Sequence, residues 1–92
     1  MKAYWIFKYG TAETKCTSFP YAYRALVNAL KQGAEKGLNQ HEMIKQMYIL
    51  SPIKDNYGNS RTYNYNEATD MARSSGLLTP EGNLNSREFK RR

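Results

Sequence analysis

Tyrosines and basic side chains are the residues of this chain whose types and number could support a chemical function. Eight tyrosines and fourteen Lys or Arg residues occur among 92 residues, and the formal net charge is +6. Basic groups attract phosphate, and flat aromatic rings provide surfaces on which nucleic-acid bases stack. These properties favour nucleic acid, an anionic membrane or an acidic protein as the partner of a small basic domain, although charge also serves solubility alone.

A predicted strand in the second half of the chain combines both types of side chain. Alternation by two places Arg61, Tyr63 and Tyr65 on one face of this strand. If Lys54 pairs with Arg61 in a hairpin, Lys54 and Tyr48 join that face. An exposed face of this kind would be a stacking platform for single-stranded RNA or DNA, whereas a buried one would form the core. Both faces of the hairpin are partly apolar, so we expect one of them to contact a partner.

Two further groups of cations are candidate phosphate contacts. The C-terminal tail, residues 87–92, has four basic residues and one acidic residue and so carries +3 of the +6. Its basic residues are Arg87, Lys90, Arg91 and Arg92. Such tails bind phosphate non-specifically or remain solvated. Arg24 and Lys31 lie roughly along one side of the first predicted helix and are secondary candidates, together with Tyr48.

Catalytic and metal-binding patterns are not found in the sequence. His41 is the single histidine and Cys16 the single cysteine, which is too few for a structural zinc site or an intrachain disulfide. The acidic residues are scattered and form no evident acid–base pair. We therefore predict no enzyme, no metal and no cofactor, with a ribonuclease that uses His, Lys and Tyr as the enzymatic alternative.

Local patterns predict a hairpin followed by a helix in the first half of the chain. Strict alternation over residues 3–9 predicts a strand, and residues 14–17 form the second strand after a turn. Tyr4, Ile6 and Lys8 then share one face of the first strand. The helix begins at Ser18 and Pro20, carries a stripe of small apolar residues, and ends at Gly37.

The second half repeats this order. Residues 40–46 are predicted to form a short helical turn, and residues 47–54 a strand at the edge of a sheet, because Pro52 lacks the N–H that an inner strand needs. Turn-forming residues at 55–60 lead into the last strand. Asn66 is the expected cap of the final helix.

These elements predict an α+β fold in the order ββαββα. About four antiparallel strands in two hairpins would form a small sheet, with two helices packed on one face. Residues 1–86 form the single domain, and residues 87–92 a flexible basic tail. The apolar run near the N-terminus is too short for a signal-peptide core or a membrane span, so we expect a soluble cytoplasmic protein without a membrane partner.

The chain is short, rich in Asn, Tyr and Lys, and contains two compact turn segments, DNYGNS at residues 55–60 and GLLTPEG at residues 76–82. In these features it resembles the small accessory proteins of large tailed bacteriophages. The resemblance is one of composition, and it implies a host-takeover or counter-defence role in the cytoplasm of the host cell. Such proteins often act by stoichiometric binding to a host enzyme, a toxin or its RNA.

The sequence therefore predicts a non-enzymatic basic module that binds RNA, alone or within a ribonucleoprotein, as a phage inhibitor of a host toxin or defence system. The alternative is a protein–protein inhibitor that docks a tyrosine-rich face on a host protein without nucleic acid, since Tyr and Arg are favoured at interface centres. A homodimer formed through the sheet face or the sheet edge is a third option.

Overall fold

Seven elements alternate between hairpins and helices in a computed structural model that describes residues 4–54, 56–79 and 84. In chain order they are β1 Trp5–Tyr9, β2 Ala12–Cys16, α1 Phe19–Glu35, α2 Gln40–Lys45, β3 Met47–Lys54, β4 Ser60–Asn64 and α3 Tyr65–Ser74. The predicted α+β class and the order ββαββα are confirmed, and α2 is the short helical turn expected between α1 and β3.

The four strands form one antiparallel sheet in the order β2-β1-β3-β4. The two hairpins meet where β1 pairs with β3, with Ile6 opposite Leu50. β3 is therefore an inner strand, and its predicted edge position is wrong. Pro52 is tolerated there because the pairing of β3 with β1 ends at Leu50 and the pairing of β3 with β4 is irregular between Leu50 and Lys54, so Pro52 belongs to no regular ladder pair.

The helices pack on one face of this sheet. Phe7 and Ile49 lie directly opposite each other on β1 and β3, and both are buried. Small side chains on the helices, such as Ala22 and Ala72, are fully buried and allow the helices to approach the sheet closely. The core comprises Phe7, Cys16, Phe19, Ala22, Tyr23, Leu26, Met43, Met47, Ile49, Ala68, Ala72 and Leu77.

Helix α1 has the start and the end that the sequence predicts. Ser18 occupies the N-cap position, although its side chain makes no capping hydrogen bond, and a proline lies in the first turn. Gly37 follows the helix with a φ of 81°, which a residue with a side chain rarely adopts. The Leu38 N–H then donates to the Gly33 carbonyl at 2.9 Å and closes the helix end. Among the described residues, no helix is long and apolar enough to cross a membrane.

Helix α3 begins two residues earlier than predicted. Its N-cap is Asn64 rather than Asn66, because a capping box forms there. The Glu67 N–H donates to Asn64 Oδ1 at 2.9 Å, and the Asn64 N–H donates to Glu67 Oε1 at 3.0 Å. β4 therefore passes directly into the helix, and Tyr65 is the first helical residue instead of a strand residue.

A buried hydrogen bond joins α1 to α3. The Tyr23 hydroxyl and the Thr69 hydroxyl lie 3.1 Å apart, and burial raises the pKa of the Tyr23 phenol. Tyr23→Phe should lower the free energy of unfolding by about 1–3 kcal/mol, because it leaves the Thr69 hydroxyl buried without a partner. Urea unfolding followed by circular dichroism measures this. Adding Thr69→Val to Tyr23→Phe should cost less than the sum of the two single changes, and additive losses would contradict the coupling.

Candidate functional site

The second face of the sheet carries a mixture of aromatic, aliphatic and basic side chains. We call it the open face, because none of its residues belongs to the core cluster or packs against it within the described part of the chain. Alternation along β3 shows the division, since Met47, Ile49 and Ser51 are buried while Tyr48 and Leu50 between them are half-buried. By strand pairing, the open face comprises Ile6, Lys8, Glu13, Lys15, Tyr48, Leu50, Thr62 and Asn64. Tyr4, which directly precedes β1, joins it through its ring contact with Lys15.

Strand pairing arranges these residues in two rows across the sheet. The first row crosses from β2 to β4 and consists of Glu13, Lys8, Tyr48 and Asn64. The second row lies two residues further along the strands and consists of Lys15, Ile6, Leu50 and Thr62. Each row therefore has one lysine, on β1 or β2, a tyrosine or leucine on β3, and a neutral polar residue on β4.

The basic groups of the open face contact neighbouring side chains without being buried by them. Lys8 Nζ lies 3.7 Å from Glu13 Oε2, and both side chains remain partly exposed. Lys15 Nζ lies 5.9 Å from the centre of the Tyr4 ring, within cation–π range. Two lysines thus face one glutamate across β1 and β2, which leaves this side of the open face with a positive balance.

The platform predicted from the second hairpin is not assembled. Lys54 pairs with Ser60 and not with Arg61, and Ile49 pairs with Tyr63. The pairing of Lys54 with Ser60 differs from the predicted pairing by one residue, which places every side chain of β4 on the face opposite to the predicted one. The irregularity between Leu50 and Lys54 shifts the register by a further two residues, which does not change the face. Tyr63 therefore lies on the helix-covered face with Ile49, and the predicted grouping of Tyr63 with Tyr48 is wrong.

Tyr63 instead belongs to an aromatic layer at one end of the core. Its ring stacks on Trp5 at a centroid distance of 6.2 Å, and Trp5 meets Phe19 edge to face at 5.4 Å. The inner strand between these rings contributes the small, buried Ser51, so the rings can meet across it. The Arg61 guanidinium covers the outer side of Tyr63 at 5.2 Å from the ring centre. This layer closes the core rather than offering a stacking surface.

The other predicted residues are dispersed over the molecule. Tyr48 is on the open face, whereas Tyr65 starts α3 and lines a cavity of about 360 Å³ between α1 and α3. Lys31 borders the same cavity from α1, and Arg24 lies on the α1 surface beside β2. Lys54 ends β3, where its ammonium group donates to the Ser60 hydroxyl at 3.4 Å. The tail residues Arg87, Lys90, Arg91 and Arg92 lie outside the described residues.

Five of the nine open-face residues belong to the first hairpin or directly precede it, and this region was not predicted as a site. Tyr4, Ile6, Lys8 and Lys15 were assigned no role, although the alternation of residues 3–9 already placed the first three together. The missing information was the pairing of β1 with β3, which brings this group beside Tyr48. No local pattern specifies that contact, because its partners are about forty residues apart in the chain.

The described residues provide neither a metal site nor a reactive cysteine. No group of three His, Cys, Asp or Glu side chains among those residues is placed to hold a metal ion. Cys16 is buried, and burial raises the pKa of its thiol, which favours the unreactive protonated form. The Cys16 thiol donates to the Thr14 carbonyl at 3.8 Å, as a small buried side chain would.

No family model, no curated protein and no solved structure matches this chain. Aromatic rings beside ammonium groups on a sheet surface suit stacked bases and their phosphates. The aliphatic centre of the same face suits apolar contacts.

Proposed function

We propose that this protein is a non-enzymatic module that binds single-stranded RNA on its open face, alone or within a ribonucleoprotein. The observation that supports the proposal is the placement of Tyr4 and Tyr48 on a sheet face that also presents Lys8 and Lys15. Sheet surfaces bind single strands by stacking bases on aromatic rings while cations contact the phosphates.

The spacing of the two rings favours contact with an extended strand. Tyr4 directly precedes β1 and is four residues before Lys8, and Lys8 lies opposite Tyr48. At about 3.3 Å per residue the rings are separated by roughly 13 Å along the sheet, so each can stack on a different base. Ile6 and Leu50 lie between the rings and offer an apolar surface to the intervening nucleotide.

The biological role in the proposal follows from the resemblance to phage accessory proteins. An RNA-binding module of this size would act stoichiometrically as an inhibitor of a host toxin or defence system in the host cytoplasm. Binding to the RNA of a toxin system, or to the toxin–RNA complex, fits a face that combines cations with apolar and aromatic groups.

Salt dependence tests the electrostatic part of this proposal. Affinity for a fluorescent oligouridylate, measured by anisotropy across a salt series, should fall steeply as salt rises, because phosphate neutralisation releases counterions. Lys8→Ala/Lys15→Ala should weaken binding and flatten the plot of log affinity against log salt by about 1.4, since each contact to a single strand contributes about 0.7.

A matched control for this pair is Lys31→Ala/Lys36→Ala. Both residues are exposed on or beside α1, on the other side of the molecule from the open face, and their loss gives the same net charge. This control should leave the slope nearly unchanged. Equal flattening by the two double variants would mean that overall charge alone drives binding, and salt-independent binding would contradict the proposal outright.

A second candidate function is docking of a host protein on the same face without nucleic acid. The adjacent aliphatic pair Ile6 and Leu50 at its centre favours this candidate, because apolar residues concentrate in the cores of protein interfaces. Affinity capture from host lysate with and without nuclease separates the two functions. A host protein retained after nuclease treatment favours docking, and one released by nuclease favours RNA.

A further inference from the structure

Among the described strands, β2 forms a regular edge of the sheet with no partner on its outer side. It pairs with β1 at five consecutive positions, from Trp5 opposite Cys16 to Tyr9 opposite Ala12. No described strand pairs with its outer side, and residues 12–15 are exposed. The opposite edge, β4, is less regular because its ladder with β3 shifts register. Unpaired edges of this kind are templates for a further strand.

The backbone groups that point outward from β2 can be identified from the ladder. Gly10 N–H donates to the Gln46 carbonyl at 3.2 Å, which shows that the even-numbered residues of the first hairpin strand direct their backbone groups toward β3. The odd-numbered residues of β1 therefore bond to Ala12, Thr14 and Cys16. Glu13 and Lys15 consequently direct their N–H and C=O groups away from the sheet.

Charge complementarity points to another copy of this chain as the occupant of the edge. An antiparallel partner strand must place its own outward residues opposite Glu13 and Lys15. A two-fold axis at Glu13 sets two glutamates opposite each other, and an axis at Lys15 sets two lysines opposite each other. An axis at Thr14 pairs Glu13 of each copy with Lys15 of the other, and directly opposite charges of unlike sign stabilise antiparallel pairs.

We propose that two copies of this chain pair antiparallel along β2, with Thr14 on the two-fold axis. In each Glu13–Lys15 pair, the N–H of each residue donates to the C=O of the other, and the two side chains meet on the open face. Lys8, at 3.7 Å from Glu13 in the same copy, extends each pair into a three-charge group. The interface is isologous, as two-fold symmetry requires.

The dimer joins the two open faces into one continuous surface. Tyr4 and Tyr48 of both copies then lie on the same side of an extended sheet, with the lysines of both copies at its centre. Pairing along β2 requires no RNA, because it uses only the backbone and the charges of β2.

Sedimentation of nuclease-treated, full-length protein over micromolar to millimolar concentrations tests the proposal. The mass of the wild type should rise from 10.7 kDa toward twice that value. Glu13→Lys and Lys15→Glu should each remain monomeric, because each sets like charges opposite each other. An equimolar mixture of the two variants should form a heterodimer, and the double variant should dimerise again, since both restore opposite pairs.

Glu42→Lys is the matched control, because Glu42 is exposed on α2 and pairs with Lys45, away from β2. It should dimerise like the wild type. Amide exchange of Glu13 and Lys15 should also slow as concentration rises. A wild type that stays monomeric throughout, single variants that dimerise normally, or a mixture that stays monomeric would overturn the proposal, whatever the outcome of RNA-binding assays.

Discussion

Replacing both Tyr4 and Tyr48 by alanine should reduce the affinity for single-stranded RNA by roughly 30-fold or more. Stacking of one base on an aromatic side chain contributes about 1–3 kcal/mol, and the two rings are far enough apart to stack on separate bases. The loss should appear at every salt concentration, because stacking does not depend on counterion release. Anisotropy titrations of the same oligouridylate give the affinity of each variant.

Two controls distinguish stacking from other effects of the change. Tyr4→Phe/Tyr48→Phe keeps both rings and should bind within a few-fold of the wild type, because the π-face is retained. Tyr57→Ala removes a tyrosine that is 88 % exposed on the turn between β3 and β4, outside the open face. It should leave affinity nearly unchanged. Retention of full affinity by the Tyr4/Tyr48 alanine variant would exclude the open face as a stacking surface.

The order of the elements could be predicted because each of its signals is local. The alternation in β1, the helical stripe of α1 and the glycine that ends α1 depend on neighbours within a few residues. The start of α3 was also encoded locally, since Glu67 follows Asn64 by three residues and completes a capping box. Asn66 has Thr69 at that position, so the sequence contained the information that separates the two caps.

The residues of the open face were harder to predict, because their position depends on sheet register. In the second hairpin, the pairing of Lys54 with Ser60 in place of Arg61 was enough to transfer Tyr63 from the predicted platform to the core side. In the first hairpin, Ile6 and Lys8 acquire their neighbours through the pairing of β1 with β3. Alternation shows which residues share a face of one strand, but it does not show which strands lie side by side.

This register leads to a prediction for two adjacent residues on β3. Ile49 is fully buried against the helices, whereas Leu50 faces the other way and is only half-buried. Ile49→Ala should lower the free energy of unfolding by about 2–5 kcal/mol, because it leaves a cavity in the core. Leu50→Ala should lower it by about 1 kcal/mol or less, since half-burial of a side chain contributes correspondingly little.

The two changes should affect binding in the opposite order to stability, so the pair separates core residues from binding residues. Leu50→Ala removes the apolar contact between the two tyrosine rings and should weaken binding of RNA or of a protein partner, while the folded fraction of Ile49→Ala should bind like the wild type. Ile49→Val, expected to cost about 0.5–1.5 kcal/mol, provides a milder core variant if the alanine change unfolds the protein. Urea unfolding and anisotropy on the same samples give both quantities. A Leu50→Ala variant less stable than Ile49→Ala would mean that the helices cover the face assigned here to the partner.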